Sequence, residues 1–226
     1  MPRARKGALD PSGLVLYDKP AGPSSFAIVR QLREETGARA GHAGTLDPFA
    51  TGLLLVLLGS FTNEAQRFVG LPKRYETAVD LSRTTSTGDP EGEAVDEHEA
   101  PSLLDLEAQL DALRGEINLK IPAASAVKIG GERAYKLHRR GVAVEMPTRR
   151  TTVYELELEE YDEPMAQLSM RLSSGGYVRA VAEALGGHCV SLRRTHVGQF
   201  DVADADPTRI ISPGAALSRL DKGQSQ

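Results

Sequence analysis

Gly41-His42-Ala43-Gly44-Thr45-Leu46-Asp47-Pro48-Phe49-Ala50-Thr51-Gly52-Leu53-Leu54-Leu55-Val56-Leu57-Leu58 runs from a polar, glycine-rich loop into six consecutive apolar residues. The apolar half shows no alternation. It reads as a strand buried on both faces and closed by Gly59, and it is far too short to span a membrane. In the loop half, Gly41 and Gly44 permit backbone shapes that other residues avoid. Pro48 biases Asp47 toward an extended conformation. A carboxylate held rigidly beside a buried strand is a candidate catalytic group. The competing reading is an ordinary turn aspartate before proline.

Working outward, residues 13–17 form a short β-type run that ends in the turn signal Asp18-Lys19-Pro20-Ala21-Gly22. Ser24 or Ser25 can cap a helix through Ile28, Val29 and Leu32, with Gly37 as its C-terminal stop. Past the apolar strand, residues 62–69 read as helix and 75–81 as strand. Residues 102–113 read as a helix with Leu103, Leu106, Leu110 and Leu113 on one face. A short helix is expected over 133–140 and strands over 152–161 and 166–172. A helix is expected over 177–185, stopped by Gly186-Gly187, then an extended run over 189–200. Ser212-Pro213 opens a last helix through Leu220, and residues 221–226 form a polar tail. Strands and helices mix without a strict βαβ rhythm, so the fold class is α+β.

The chain has 226 residues, 40% hydrophobic and 26% charged, as in an ordinary globular protein. Residues 1–6 are basic but no apolar stretch follows, so no signal peptide is expected. The lone Cys189 cannot form an internal disulfide, in keeping with a reducing cytoplasm. Formal net charge is −4, but the charge is unevenly spread. Residues 122–152 carry Lys128, Arg133, Lys136, Arg139, Arg140, Arg149 and Arg150 against Glu132 and Glu145, a balance of +5. Residues 89–116 carry ten acids and one base, a balance of −9. A basic segment on an acidic body can hold phosphates; a merely solvated face is the other reading.

Tyr75 opens a strand just after Lys73-Arg74 and is either a stacking platform for a base or half-buried packing. Ser173-Ser174-Gly175-Gly176-Tyr177-Val178-Arg179 joins a strand to a helix. An arginine there can pair with a buried carboxylate in bidentate fashion, or form a surface ion pair of little consequence. His42 can stack or hydrogen-bond. No His/Cys cluster has metal spacing, so no metal is expected, and neither a P-loop nor a dinucleotide fingerprint is present.

Six segments, in order, resemble the bacterial TruB-type tRNA pseudouridine-55 synthases. They are Asp18-Lys19-Pro20 with the following Gly22-Pro23-Ser24-Ser25; the Gly41–Gly52 loop; and Lys73-Arg74-Tyr75 leading to Thr87-Gly88-Asp89 and Gly92. Next come Ile121-Pro122 with Ser125-Ala126-Val127-Lys128 and Gly131-Glu132-Arg133-Ala134-Tyr135; then Gly175–Arg179; and finally Leu192-Arg193-Arg194-Thr195. The resemblance implies a pseudouridine synthase fold, with a central mixed, largely antiparallel sheet flanked by helices. Residues 1–200 would form the catalytic domain, and 122–152 a mobile basic insertion that grips RNA through its seven basic residues. Residues 201–226 would be a short extension without the family's C-terminal RNA-binding domain. The resemblance implies conversion of uridine 55 in the T-loop of tRNA to pseudouridine, by base flipping, with no cofactor. Asp47 would be the catalytic aspartate, Tyr75 would stack on the base, and Arg179 would hold the Asp47 carboxylate ionised. Tyr177 and Leu192 would line the uracil pocket, His42 would displace the flipped nucleotide, and Lys19 would support the site wall. The T-arm of tRNA is the implied partner. A cytoplasmic monomer without membrane or obligate protein partner is expected. The alternative is a non-catalytic tRNA-binding or folding protein on the same scaffold. Two stretches, 121–128 and 185–192, run shorter than the family pattern.

Overall fold

The computed structural model describes residues 11–222. The basic residues 1–6 and the end of the polar tail lie outside that range. Along the chain the elements are β1 (Gly13–Lys19), α1 (Ser25–Thr36), β2 (Ala40–His42), β3 (Thr51–Leu58), α2 (Ala65–Val69), β4 (Lys73–Asp80), β5 (Arg83–Thr85) and β6 (Ala94–Glu97). They continue with α3 (Leu103–Ala112), β7 (Gly115–Lys120), β8 (Lys128–Ile129), β9 (Glu132–Arg133), α4 (Ala134–Arg139), β10 (Thr148–Asp162) and β11 (Met165–Leu172). The last are α5 (Val178–Ala184), β12 (His188–Val197), β13 (Phe200–Asp201) and α6 (Pro213–Lys222). Two compact units form. Among the described residues, one holds those up to Leu71 and those from Arg194 onward; the other is Pro72–Arg193.

The first unit is organised by β3. It pairs antiparallel with β1, from Gly13 opposite Leu58 to Lys19 opposite Gly52. Its other edge carries β2, with His42 opposite Val56, and neighbours β12. Every residue from Gly52 to Leu58 is buried, which is why the run has no polar alternation. Leu53, Leu55 and Leu57 join Leu14, Leu16, Phe61, Phe68, Val197, Phe200, Ala216 and Leu220 in one apolar cluster. The Phe68 ring packs edge-on to Phe61 at 5.6 Å and tilted against Phe200 at 5.9 Å.

Local signals set α1 as expected. The Ser24 hydroxyl accepts from the Ala27 N–H at 3.2 Å. Gly37 adopts a left-handed φ of 70° and returns its N–H to the Arg33 carbonyl at 2.9 Å. The helix expected over 62–69 is shorter. Residues 59–64 form a 3-10 turn and only α2 is α-helical. Gly59 at φ 58° starts that turn as soon as β3 ends.

The second unit is an antiparallel series. β4 pairs with β11, β11 with β10, and β10 with β7, while β12 neighbours β4. Thr77 Oγ1 donates to the Ser191 carbonyl at 2.6 Å along that neighbour. β10 runs longer than expected at both ends, so residues 148–152 of the basic stretch are strand, paired to β7. Thr151 and Val153 are buried on one phase of β10 and Leu156 on the other. A register shift reconciles them. Val153 faces Leu172 and Glu155 faces Arg171, which leaves Tyr154 as the extra residue of a bulge. In α3, Leu106 and Leu110 are buried as expected, but Leu103 is exposed. As the first residue of the helix it lies where the apolar face begins and nothing covers it. The α+β expectation holds.

Candidate active site

In the first unit the loop before β3 is held from three directions. Ser25, the first residue of α1, uses one hydroxyl twice: it donates to the Leu46 carbonyl at 2.9 Å and accepts from the Leu46 N–H at 2.8 Å. Its side chain is almost fully buried. Lys19, at the end of β1, is also fully buried. Its ammonium donates to the carbonyls of Pro20 at 2.8 Å, Pro23 at 2.9 Å and Pro48 at 3.2 Å. All three donors of the ammonium are thus matched by oxygen acceptors. Prolines before and after Asp47 supply those carbonyls, and the Gly22 N–H also donates to Pro48 O at 2.8 Å.

The third hold is Arg194, on β12. The guanidinium is buried and donates to three backbone oxygens: Leu53 at 2.7 Å through Nε, Gly44 at 3.1 Å and Thr45 at 3.4 Å. Gly52 makes its approach possible. A Cβ there would overlap the backbone of Arg194, and its φ is 103°. Arg194 lies in the Leu192–Thr195 motif, for which the resemblance implies no role at this position. The signal was an arginine between the buried positions Leu192 and Val197 of an extended run.

These charges act on one another. Burial lowers the Lys19 pKa from 10.5 to about 8; the Asp47 carboxylate opposes that fall and the Arg194 guanidinium adds to it. His42, on β2, has its pKa lowered by burial first and by Arg194 second, so its imidazole favours the neutral form. Its buried Nδ1 has no hydrogen-bond partner among the described residues. Lys19, His42, Asp47 and Arg194 therefore form one electrostatic neighbourhood, with Asp47 half-buried on its loop.

The second unit carries the other candidates. Tyr75 is buried on β4, opposite Met170 of β11. Leu192 is buried on β12. Arg179, the second residue of α5, is buried and donates to the carbonyls of Thr87 at 2.6 Å and Ala124 at 3.0 Å. It also forms an ion pair at 3.3 Å with Asp89, which is equally buried. Asp89 is fixed in turn by the Thr87 hydroxyl at 2.5 Å and the Glu91 N–H at 3.1 Å. The reading of Arg179 as a weak surface pair is thereby set aside. Asp89 belongs to the Thr87-Gly88-Asp89 motif, and nothing in its local spacing marks it as a partner of Arg179. Tyr177 precedes α5 and packs against the cluster of Ile121, Ala134 and Met146.

The basic residues are not equivalent. Arg140 forms a forked pair with Glu132, both bonds at 2.8 Å, and Arg150 pairs with Glu116. Arg133 donates to the Ala126 carbonyl. Arg149 donates to the Gly175 carbonyl at 3.2 Å and lies over the Tyr177 ring. Arg139 lies over the Tyr135 ring. Lys128, Lys136 and Arg139 are exposed and form no ion pair with an acid among the described residues. Among the described residues no group of three or more His, Cys, Asp and Glu could hold a metal ion, and no helix is long and apolar enough to cross a membrane.

A buried hydroxyl, a buried ammonium and a buried guanidinium spent on one loop make a rigid mount for a carboxylate. Such preorganisation suits covalent or acid–base chemistry rather than tight structural packing alone. Comparison with known proteins agrees. The tRNA pseudouridine synthase B of Aquifex aeolicus is 41% identical over 203 residues, covering 85% of this chain and 71% of that protein. The tRNA pseudouridine synthase B of Cereibacter sphaeroides is 44% identical over 229 residues, covering 97% of this chain and 76% of that protein. Among solved structures, a chain of a Cbf5-Nop10-Gar1 complex superposes with a TM-score of 0.64 at 25% identity. The match covers 95% of this chain and 56% of that one. Residues 30–178 match the TruB family pseudouridylate synthase (N terminal domain), and by that match and these relatives the chain belongs to the TruB family of pseudouridylate synthases.

Proposed function

We propose that the protein converts a uridine of tRNA to pseudouridine, and that the target is uridine 55 of the T-loop. The observation that carries the proposal is the mount of Asp47: Ser25, Lys19 and Arg194 immobilise the backbone on both sides of one carboxylate. The relatives named above support tRNA as the substrate.

The reaction is an isomerisation. The N1–C1′ bond of the nucleoside breaks, the uracil turns, and C5 bonds to C1′; the proton lost from C5 is balanced by one gained at N1. No electrons enter or leave and no group is donated. The target base is stacked in its loop, and flipping it out costs about a few kcal/mol. Stacking on the Tyr75 ring returns about 1–3 kcal/mol of that. In this reading Asp47 is the reacting carboxylate and Arg179 keeps it ionised. Tyr177 and Leu192 bound the base, and His42 takes the place of the flipped nucleotide. A neutral imidazole, as its environment favours, suits His42 for stacking in place of a base. Lys128, Lys136 and Arg139 are the insertion's best placed cations for phosphate, because no acid among the described residues forms an ion pair with them. We also propose that the insertion is more mobile than the sheets when RNA is absent.

The test is an unmodified T-arm stem-loop RNA incubated with wild type and with Asp47→Asn, without added cofactor. Product from the wild type alone supports the proposal. RNA binding without product favours a folding role, and product from both proteins removes Asp47 from the mechanism.

A further inference from the structure

Helix α1 has two faces. Ser25, Ile28, Val29 and Leu32 are buried. On an exposed flank beside that face stand Phe26, Arg30 and Arg33, spaced i, i+4 and i+7 and therefore in line. Phe26 is 69% exposed. Neither Arg30 nor Arg33 forms an ion pair or a side-chain hydrogen bond among the described residues. Several other exposed arginines do find acids: Arg67 with Glu64, Arg74 with Glu155, Arg114 with Asp111, Arg219 with Asp204. Glutamates at 34 and 35 are available on α1 itself, yet Glu35 accepts instead from Gln31 at 2.9 Å.

We infer that the Phe26–Arg30–Arg33 face of α1 is a nucleic-acid contact, in which Phe26 stacks on an unpaired base of the RNA substrate and the two arginines hold its phosphates. The inference rests on the proposed reaction for its RNA. Two further observations favour that occupant over another. The face is continuous with the reactive loop, because Ser25, the residue before Phe26, is bonded directly to Leu46 beside Asp47. Its two arginines make no ion pair among the described residues, although Glu34 and Glu35 share the helix, and cations beside an aromatic ring complement a phosphate-bearing strand rather than an apolar partner. An aromatic ring followed by cations is the arrangement by which single strands are held without reading sequence.

The experiment measures T-arm RNA affinity against salt, together with kcat and KM for pseudouridine formation. It compares the wild type, Phe26→Ala, Phe26→Tyr, the double variant Arg30→Gln/Arg33→Gln, and Leu104→Ala as an exposed apolar control on α3. Phe26→Ala is expected to weaken binding about 10-fold or more, within what loss of one stacked base costs, with the loss in KM. Phe26→Tyr restores it. The double arginine variant lowers the slope of log affinity against log salt by about 1.4, two phosphates at roughly 0.7 each. Leu104→Ala behaves as the wild type. Wild-type affinity and slope in all the α1 variants would overturn the inference while leaving the proposed reaction intact. Self-association removed by Phe26→Ala, with RNA affinity unchanged, would overturn it in favour of a protein contact. If the wild type binds RNA but makes no product, the affinity measurements still decide the matter for this face, and only the proposed reaction fails.

Discussion

Replacing Ser25 by alanine isolates the mount of the reactive loop. The hydroxyl makes two bonds, at 2.9 and 2.8 Å, both to the main chain of Leu46, and all groups involved are buried. Its loss strands one N–H and one C=O. Each stranded buried group costs about 1–3 kcal/mol, and entry of water would bring the sum to the low side, about 2–4 kcal/mol. For a chain of this length 1 kcal/mol moves the melting temperature by about 2–4 °C, so Tm falls by roughly 4–16 °C. Helix capping is a separate contribution, since the cap is Ser24. Ser24→Ala should cost only about 1 kcal/mol and leave the loop in place. Urea denaturation of both variants, with pseudouridine formation followed at saturating RNA, separates the two. Ser25→Ala should also lose about 10- to 100-fold in kcat, the scale expected when a reacting group is misplaced by an ångström. Unfolding and kcat indistinguishable from wild type would refute the reasoning. The Lys19, Gly22 and Arg194 bonds would then hold the loop without the hydroxyl.

Three other perturbations follow from the site. Asp89→Asn should destabilise by about 3 kcal/mol, because it removes one carboxylate of a buried ion pair with Arg179; unfolding in denaturant checks this, and a wild-type midpoint would contradict it. Lys19 should give a pH dependence. Its folded-state pKa of about 8 lies below the ordinary 10.5, so between those values the unfolded chain holds more protons. Stability from this group therefore rises as pH climbs from about 8 to about 10.5, by about 3 kcal/mol in all, and is flat outside that window. Lys19→Met should flatten that limb of the stability curve. Gly52→Ala should cost about 2–4 kcal/mol, since both the positive φ and the Arg194 backbone oppose a Cβ. Gly22→Ala, at a similar φ of 104° with nothing nearby, should cost only the backbone strain of about 1–2 kcal/mol. Thermal unfolding of the two alanine variants side by side tests the difference.

The parts of this protein legible in sequence are those set by neighbours along the chain. Ser24 and Gly37 announce both ends of α1, and the unbroken run from Leu53 to Leu58 announces a strand buried on both faces. The loop with Asp47 was equally plain. What escaped depends on partners remote in sequence. Ser25 meets Leu46 across 21 positions and Arg194 meets Leu53 across 141, and neither bond leaves a local trace. Arg179 was expected to seek a buried carboxylate, but nothing in the spacing named Asp89, 90 positions earlier. Leu103 misled because helical periodicity records which side is apolar, not where the covering layer stops.

The bulge at Tyr154 bears on how this gene can vary in length. Because Tyr154 is the surplus residue between Val153 opposite Leu172 and Glu155 opposite Arg171, losing that one codon would turn the strand into a strict alternation. Val153 and Leu156 would then lie two positions apart, and both would still face the core. A second shift, between Leu158 and Glu160, offers the same freedom at Glu159. Deleting one residue from the regular stretch between Thr148 and Val153 would instead invert everything on one side of the cut. In-frame deletions should therefore be survivable at two points of β10 and harmful in that stretch, a pattern that a library of single-codon deletions across the strand would display.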